Sequence, residues 1–260
     1  MYKSILLSLV ILLCNELSAQ RIKDVFPLNR EFKRGGLFIE PQATISFGNK
    51  DENDFQSNDS LYKYTEEGRG KFGYGLEVGW FHSYKNPILI HYIEFAAAYR
   101  FLQGEARHEG TLNHLGGMHS FESKNNFKNQ YLTASFRATN ATQLGDFTYL
   151  STSLGLNYNY LLSSKYDREI AHPAFEEKFH DEHSLQLHLK IGVGFRLSRQ
   201  LVAVPSIETP LLSLLPTDNF NPALPFYHTK YHPVYIGIKF MFLRDDPLNC
   251  NAPTYNGPLN

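Results

Sequence analysis

The stretch Ser184–Leu197, SLQLHLKIGVGFRL, alternates without a fault. Leu185, Leu187, Leu189, Ile191, Val193, Phe195 and Leu197 fall on one face. Gln186, His188, Lys190, Gly192, Gly194 and Arg196 fall on the other. A strand turns successive side chains to opposite faces, so this segment separates an apolar surface from a polar one along its whole length. It is longer than the usual globular strand of about 5–6 residues. It reaches the roughly 9–11 residues that cross a bilayer at a tilt.

Seven further segments complete the pattern: Gly36–Phe47, Phe72–His82, Leu89–Gln103, Gln130–Ala138, Phe147–Leu161, Gln200–Glu208 and Pro233–Leu243. Their connections alternate in length. Ser83–Ile88, Thr139–Asp146 and Ser198–Arg199 are short and carry turn residues such as Asn86-Pro87 and Gly145-Asp146. Gly48–Lys71, Gly104–Asn129, Leu162–His183 and Thr209–His232 are long and polar. An all-β, eight-stranded antiparallel up-and-down transmembrane β-barrel is predicted, with short periplasmic turns and long external loops. Ten strands remain open if loop segments pair with one another. Two segments fit less well. Phe95-Ala96-Ala97-Ala98 blurs the faces of its strand, with His91 on the lipid side, and Pro205 predicts a bulge or an early end to pairing.

The ends agree with an exported barrel. Lys3, the apolar run Ile5–Leu13 and the zone Ser18-Ala19-Gln20 read as a signal peptide over residues 1–19. A periplasmic lead-in (20–34), the barrel (35–243) and a periplasmic tail (244–260) follow, and the expected location is the cell outer membrane. Cys14 follows Leu13 where a lipoprotein signal wants a small residue, which argues against lipidation. Cys250 alone would remain in the mature chain, so no internal disulfide is expected. A formal net charge of −1 gives no electrostatic footprint for nucleic acid.

A soluble lipocalin-type barrel also alternates, but with its apolar face inward. Three features favour the membrane form. Glycines sit on the polar face (Gly73, Gly75, Gly79, Gly155, Gly192, Gly194, Gly237), where a crowded lumen needs small residues. The same face carries Glu40, Glu77, Glu94 and Glu208 with Arg100, Arg137, Lys190, Arg196 and Lys239, able to pair across a narrow interior. Aromatics gather at strand ends: Trp80, Phe147, Phe195, Phe240 and Phe242 at one rim, and Tyr99, Phe101, Tyr158, Tyr160, Phe226, Tyr227 and Tyr231 at the other.

Gln130-Tyr131-Leu132, a short turn and Asp146–Leu161 (DFTYLSTSLGLNYNYL) resemble the strand–turn–strand of the PorT-like outer-membrane β-barrel family of Bacteroidota. Gly155 stands at its centre and aromatics at its end. Thr133 replaces that family's usual proline after the Tyr-Leu pair. The resemblance implies a fold and a location, not an activity. Some relatives serve type IX secretion, so a component of an export or envelope-assembly machine is one expectation.

The chemistry is sparse. His108, His114, His119, His172, His180, His183, His228 and His232 fall in the long connections, densest at His180-Asp181-Glu182-His183. Imidazoles and carboxylates hold zinc or copper only when three or four converge, and the helical HExxH spacing is missing. A lipid A-modifying enzyme would need a hydroxyl beside an imidazole with an acid to orient it. The neighbours on offer are His119-Ser120 with Glu122 and His183-Ser184 with Glu182. Adjacent strand residues point to opposite faces, which makes such pairs poor dyads. The reading is therefore a non-enzymatic barrel with a closed, ion-paired lumen and no catalytic residue, cofactor or metal. The expected partners are outer-membrane lipid, lipopolysaccharide and other envelope proteins. Lys124, Lys128, Lys165 and Arg168 offer contacts to lipopolysaccharide phosphates, although charged loop faces are ordinarily just solvated, while Asp51, Glu52, Asp54, Glu66 and Glu67 make the first loop acidic.

Overall fold

The computed structural model describes residues 34–48, 50–57, 60–84, 87–114, 117–145, 147–168, 182–198, 200–215 and 231–244. The expected signal peptide, both cysteines, nearly all of the lead-in and tail, and most of the last two long connections lie outside these residues. So do His172, His180, His228, Phe226 and Tyr227. The described chain forms nine strand segments: β1 (Gly35–Gly48), β2 (Lys50–Ser57), β3 (Ser60–Ser83), β4 (Tyr92–His114), β5 (Gly117–Gly145), β6 (Thr148–Arg168), β7 (His183–Arg196), β8 (Leu201–Leu215) and β9 (Tyr231–Phe242).

Each of β3 to β8 pairs antiparallel with the next strand, and β1 pairs with both β9 and β3, closing a ring of eight. The ninth segment, β2, pairs only with the upper part of β3, from Lys50↔Glu67 to Ser57↔Ser60. It therefore adds to the sheet outside the ring without becoming a wall of it. Closure satisfies the backbone groups that an open sheet edge would expose to lipid.

The long connections differ from expectation. Most of Gly48–Lys71 and Gly104–Asn129 is strand, not loop: β3, β4 and β5 continue beyond the barrel, and the β4–β5 ladder runs up to His114↔Gly117. Likewise β6 extends to Arg168 and β8 to Leu215. These segments lack an apolar face, so period-2 hydrophobicity gives no signal there. The backbone ladder, already in register below, continues upward without one.

The stagger of the ring is legible in the register. From Gln42, the inward-facing row passes through Gly75 and Arg100 to Tyr131 on β5. In the other direction it passes through Gly237, Ser206, Gly192 and Ser151 to Ala141, ten residues nearer the periplasmic end of the same strand. For eight strands at the usual spacings, such an offset tilts them by about 40°. Rows therefore climb toward the external side from β3 to β6.

The two faces are those of a membrane barrel and the reverse of a lipocalin. Leu37, Leu76, Val78, Leu132, Phe136, Leu154, Ile191, Ile207, Ile236 and Ile238 are exposed on the outside, while Glu40, Glu77, Glu94, Arg100, Arg137, Lys190, Glu208 and Lys239 are buried within. An apolar girdle of this extent far exceeds the few hundred Å² that soluble monomers tolerate. Trp80, Phe147, Phe195 and Phe242 are exposed at the periplasmic rim and Tyr158 and Tyr160 at the external one. No helix among the described residues is long and apolar enough to cross a membrane. The crossing is made by strands.

At the periplasmic end the lumen is apolar: Phe38, Phe81, Tyr92, Ala141, Tyr149, Val202, Val204, Met241 and Leu243 form one cluster. Glycines make room for it. A Cβ on Gly194 would stand 2.1 Å from the ring of Tyr149, its cross-strand partner, and one on Gly79 would stand 2.5 Å from the ring of Phe38, likewise its partner. The run Phe95–Ala98 keeps its alternation after all, with Phe95 and Ala97 outward and Ala98 buried.

Two local expectations are corrected. The strand expected from Leu89 begins at Tyr92, because Leu89–His91 belong to the turn. His91 beside it is half-buried: it accepts the Ala141 N–H at Nδ1 (3.2 Å), and burial holds its imidazole below the ordinary range. Pro205 neither bulges nor ends β8. Pairing with β7 skips from Gly192↔Ser206 to Phe195↔Ala203 in unchanged register, while Pro205 still faces Ile238 of β9. A missing N–H thus interrupts one ladder and leaves the other intact.

Candidate functional site

Alternation puts one charged residue from each of several strands on the inner wall, and the stagger brings them to the middle of the lumen. There β1 supplies Glu40, β3 Glu77, β4 Glu94 and Arg100, and β5 Arg137. Lys190 comes from β7, Glu208 from β8 and Lys239 from β9. All are buried, and four carboxylates face four cations.

Arg137 is the hub. Its Nη1 and Nη2 lie 2.5 and 2.7 Å from the two oxygens of Glu77, a bidentate fork, and Nη2 also donates to Glu208 at 3.1 Å. Arg100 Nη2 lies 3.0 Å from Glu208 and 3.5 Å from Glu77, with its guanidinium 4.0 Å above the Tyr235 ring. Lys190 reaches Glu40 at 2.5 Å and Glu208 at 3.6 Å. Lys239 donates to Glu94 and stands 5.1 Å over the Phe38 ring. Neutral groups add to it: Asn157 donates to Glu208 (2.6 Å), Ser206 and Gln42 donate to Glu40 (3.2 Å each), and His188 Nδ1 lies 3.0 Å from Glu208. Gly155 lets this happen, since a Cβ there would meet Arg137 Cγ at 2.4 Å.

Such a belt has a defined physical character. Each ion is desolvated, and its stability rests on geometry and on the hydrogen bonds around it. Eight strands leave an interior that side chains can fill. In this one, ion pairs occupy the middle and the apolar cluster lies below them. The expected luminal set is present with one correction: Arg196 is only partly buried near the periplasmic rim, and its Nε donates to the Ser198 carbonyl.

The other expected chemistry does not assemble among the described residues. No group of three or more His, Cys, Asp or Glu side chains there could hold a metal. His108 pairs with Asn125 (3.1 Å), His183 with Tyr158 (2.7 Å) and His232 with Thr209 (2.6 Å). His183 is exposed and Ser184 buried, on opposite faces of β7, and that pair forms no dyad. Sequence reasoning missed Asn157, Ser206, Tyr235 and His188 as members of the belt, because polar alternation marks a face without marking contacts.

No family model matches the sequence, and no curated protein matches it. The structure is similar to the attachment invasion locus protein Ail of Yersinia pestis, solved in complex with the heparin analogue sucrose octasulfate. Identity there is 11%, over 81% of this chain and 99% of that one, with a TM-score of 0.36. It is also similar to the outer membrane protein OprG of Pseudomonas aeruginosa (10% identity, 82% and 96% covered, TM-score 0.36). A third is the translocator domain of the autotransporter NalP of Neisseria meningitidis (8% identity, 93% and 95% covered, TM-score 0.29). The class of the protein rests on its own register and faces: it is an eight-stranded β-barrel of the outer membrane.

Proposed function

We propose that this is a non-enzymatic outer-membrane barrel with a closed lumen, working through its external surface and through contacts with envelope partners. The observation that carries this reading is the charge-balanced belt of Glu40, Glu77, Glu94 and Glu208 with Arg100, Arg137, Lys190 and Lys239. A belt whose carboxylates and cations are paired with one another stands across the path of any solute. The sheet raised outside by β2–β5 then offers the principal surface for recognition.

Planar-bilayer recording tests the closed lumen. The wild-type protein is expected to be electrically silent. Glu77→Ala/Arg137→Ala, which removes the fork at the hub, is expected to admit small ions. Steady conductance by the wild type would refute a closed lumen. A role in an export or envelope-assembly machine of the PorT-like kind is the second reading, and stoichiometric envelope partners after mild-detergent purification would favour it. A changed lipid A mass on deletion would instead favour a lipid A-modifying enzyme.

A further inference from the structure

Among outward-facing residues above the aromatic rim whose side chains are described, Arg69, Lys71, Arg107, Lys124, Lys128 and Lys165 all lie on β3–β6. One cross-strand row there reads Lys71↔Gln103↔Lys128↔Lys165. Directly opposed residues of an antiparallel pair share a face, with Cβ atoms about 4.5–5.5 Å apart, and like charges so placed repel.

The neighbouring cations each have an answering anion. Lys71 lies 3.1 Å from Glu105 and Arg69 3.2 Å from Glu67. Arg107 and Lys124 are opposed just as Lys128 and Lys165 are. They share Glu122 Oε1, at 3.5 and 3.6 Å, so one carboxylate settles the repulsion. Among the described residues Lys128 and Lys165 form no ion pair, although Asp167 stands one row higher on the same face.

The pair sits at a defined height. The next row toward the membrane is Tyr74↔Phe101↔Gln130↔Ser163, and the one below it is Leu76↔Tyr99↔Leu132↔Tyr160. Each step along a row climbs about 3 Å at the tilt derived above. Lys128 and Lys165 thus stand about 10 Å or less above the aromatic belt, at headgroup level.

We infer that Lys128 and Lys165 form a clamp for a phosphate group on the sugar headgroup of an outer-leaflet glycolipid, whose acyl chains lie against the apolar rows below. A phosphate supplies several strong acceptor oxygens and more charge than the carboxylate of Glu122 does for the neighbouring pair. The membrane is favoured over solution as its source, because a lipid already held on the apolar rows presents its phosphate at high effective concentration. The site rests on the membrane-barrel reading.

The test uses the full chain purified from the outer membrane in mild detergent, titrated with diphosphoryl lipid A and with enzymatically dephosphorylated lipid A. Diphosphoryl lipid A is expected to bind at least tenfold more tightly. Lys128→Gln/Lys165→Gln should abolish that preference, and Arg107→Gln/Lys124→Gln should retain it. Unchanged heat-modifiable migration on gels verifies that both variants are folded. Equal binding of the two lipids, an undiminished preference in Lys128→Gln/Lys165→Gln, or its loss in the Arg107/Lys124 variant would overturn the assignment. Inorganic phosphate competing at concentrations matching the lipid would overturn the membrane source. Failure of the protein to insert into vesicles would sink the barrel reading separately.

Discussion

Tyr149 and Gly194 show how single residues shape this interior. The ring occupies the space a side chain on the opposite strand would need, and a methyl group at Gly194 would stand 2.1 Å from it. Gly194→Ala is expected to destabilise the barrel by about 1–3 kcal/mol, read from urea unfolding in lipid vesicles. Tyr149→Leu in the same chain should recover part of that loss, giving a coupling energy between the two sites. Additive losses would mean that the ring is not what the glycine accommodates. The glycine's place on the polar face was readable from alternation. Its partner was not, since Tyr149 becomes its neighbour only through the β6–β7 register.

Among the elements, the external parts of β3, β4 and β5 are what the sequence concealed. From Gly104 to Asn129 polar residues occupy both faces, including buried His108, Ser123 and Asn125, so hydrophobic periodicity is silent. The strands persist because each extends a ladder already in register. The luminal belt lies below this extension and, among the described residues, shares no ion pair with it. Joining Ala106 to Asn125 through an Asn-Gly turn should therefore leave the barrel folded, with a loss of about 1 kcal/mol or less. Gel heat-modifiability and urea midpoints provide the check. A much larger loss would show that the external sheet and the barrel fold as one unit.

For the whole molecule, two populations of charge should answer salt differently. Luminal ions are buried and close-paired, where screening reaches little. The unfolding free energy is expected to change by less than about 0.5 kcal/mol between about 0.05 M and about 1 M NaCl. A marked fall with salt would mean that water and ions reach the belt. Exposed pairs such as Arg69–Glu67 are open to screening and contribute about 0–1 kcal/mol each.

The sequence by itself determined the class: alternation within strands, eight segments long enough to cross a bilayer, and a polar face too charged to meet lipid. Those are local properties, because side-chain direction along a strand depends only on parity. The tertiary structure decided which charges meet. Glu40 and Lys190 are separated by 150 positions in the chain, and Glu94 and Lys239 by 145. Ring closure and stagger set those encounters, and the same register sets Lys128 against Lys165. Contacts of that kind depend on the offset between strands, which no single strand encodes.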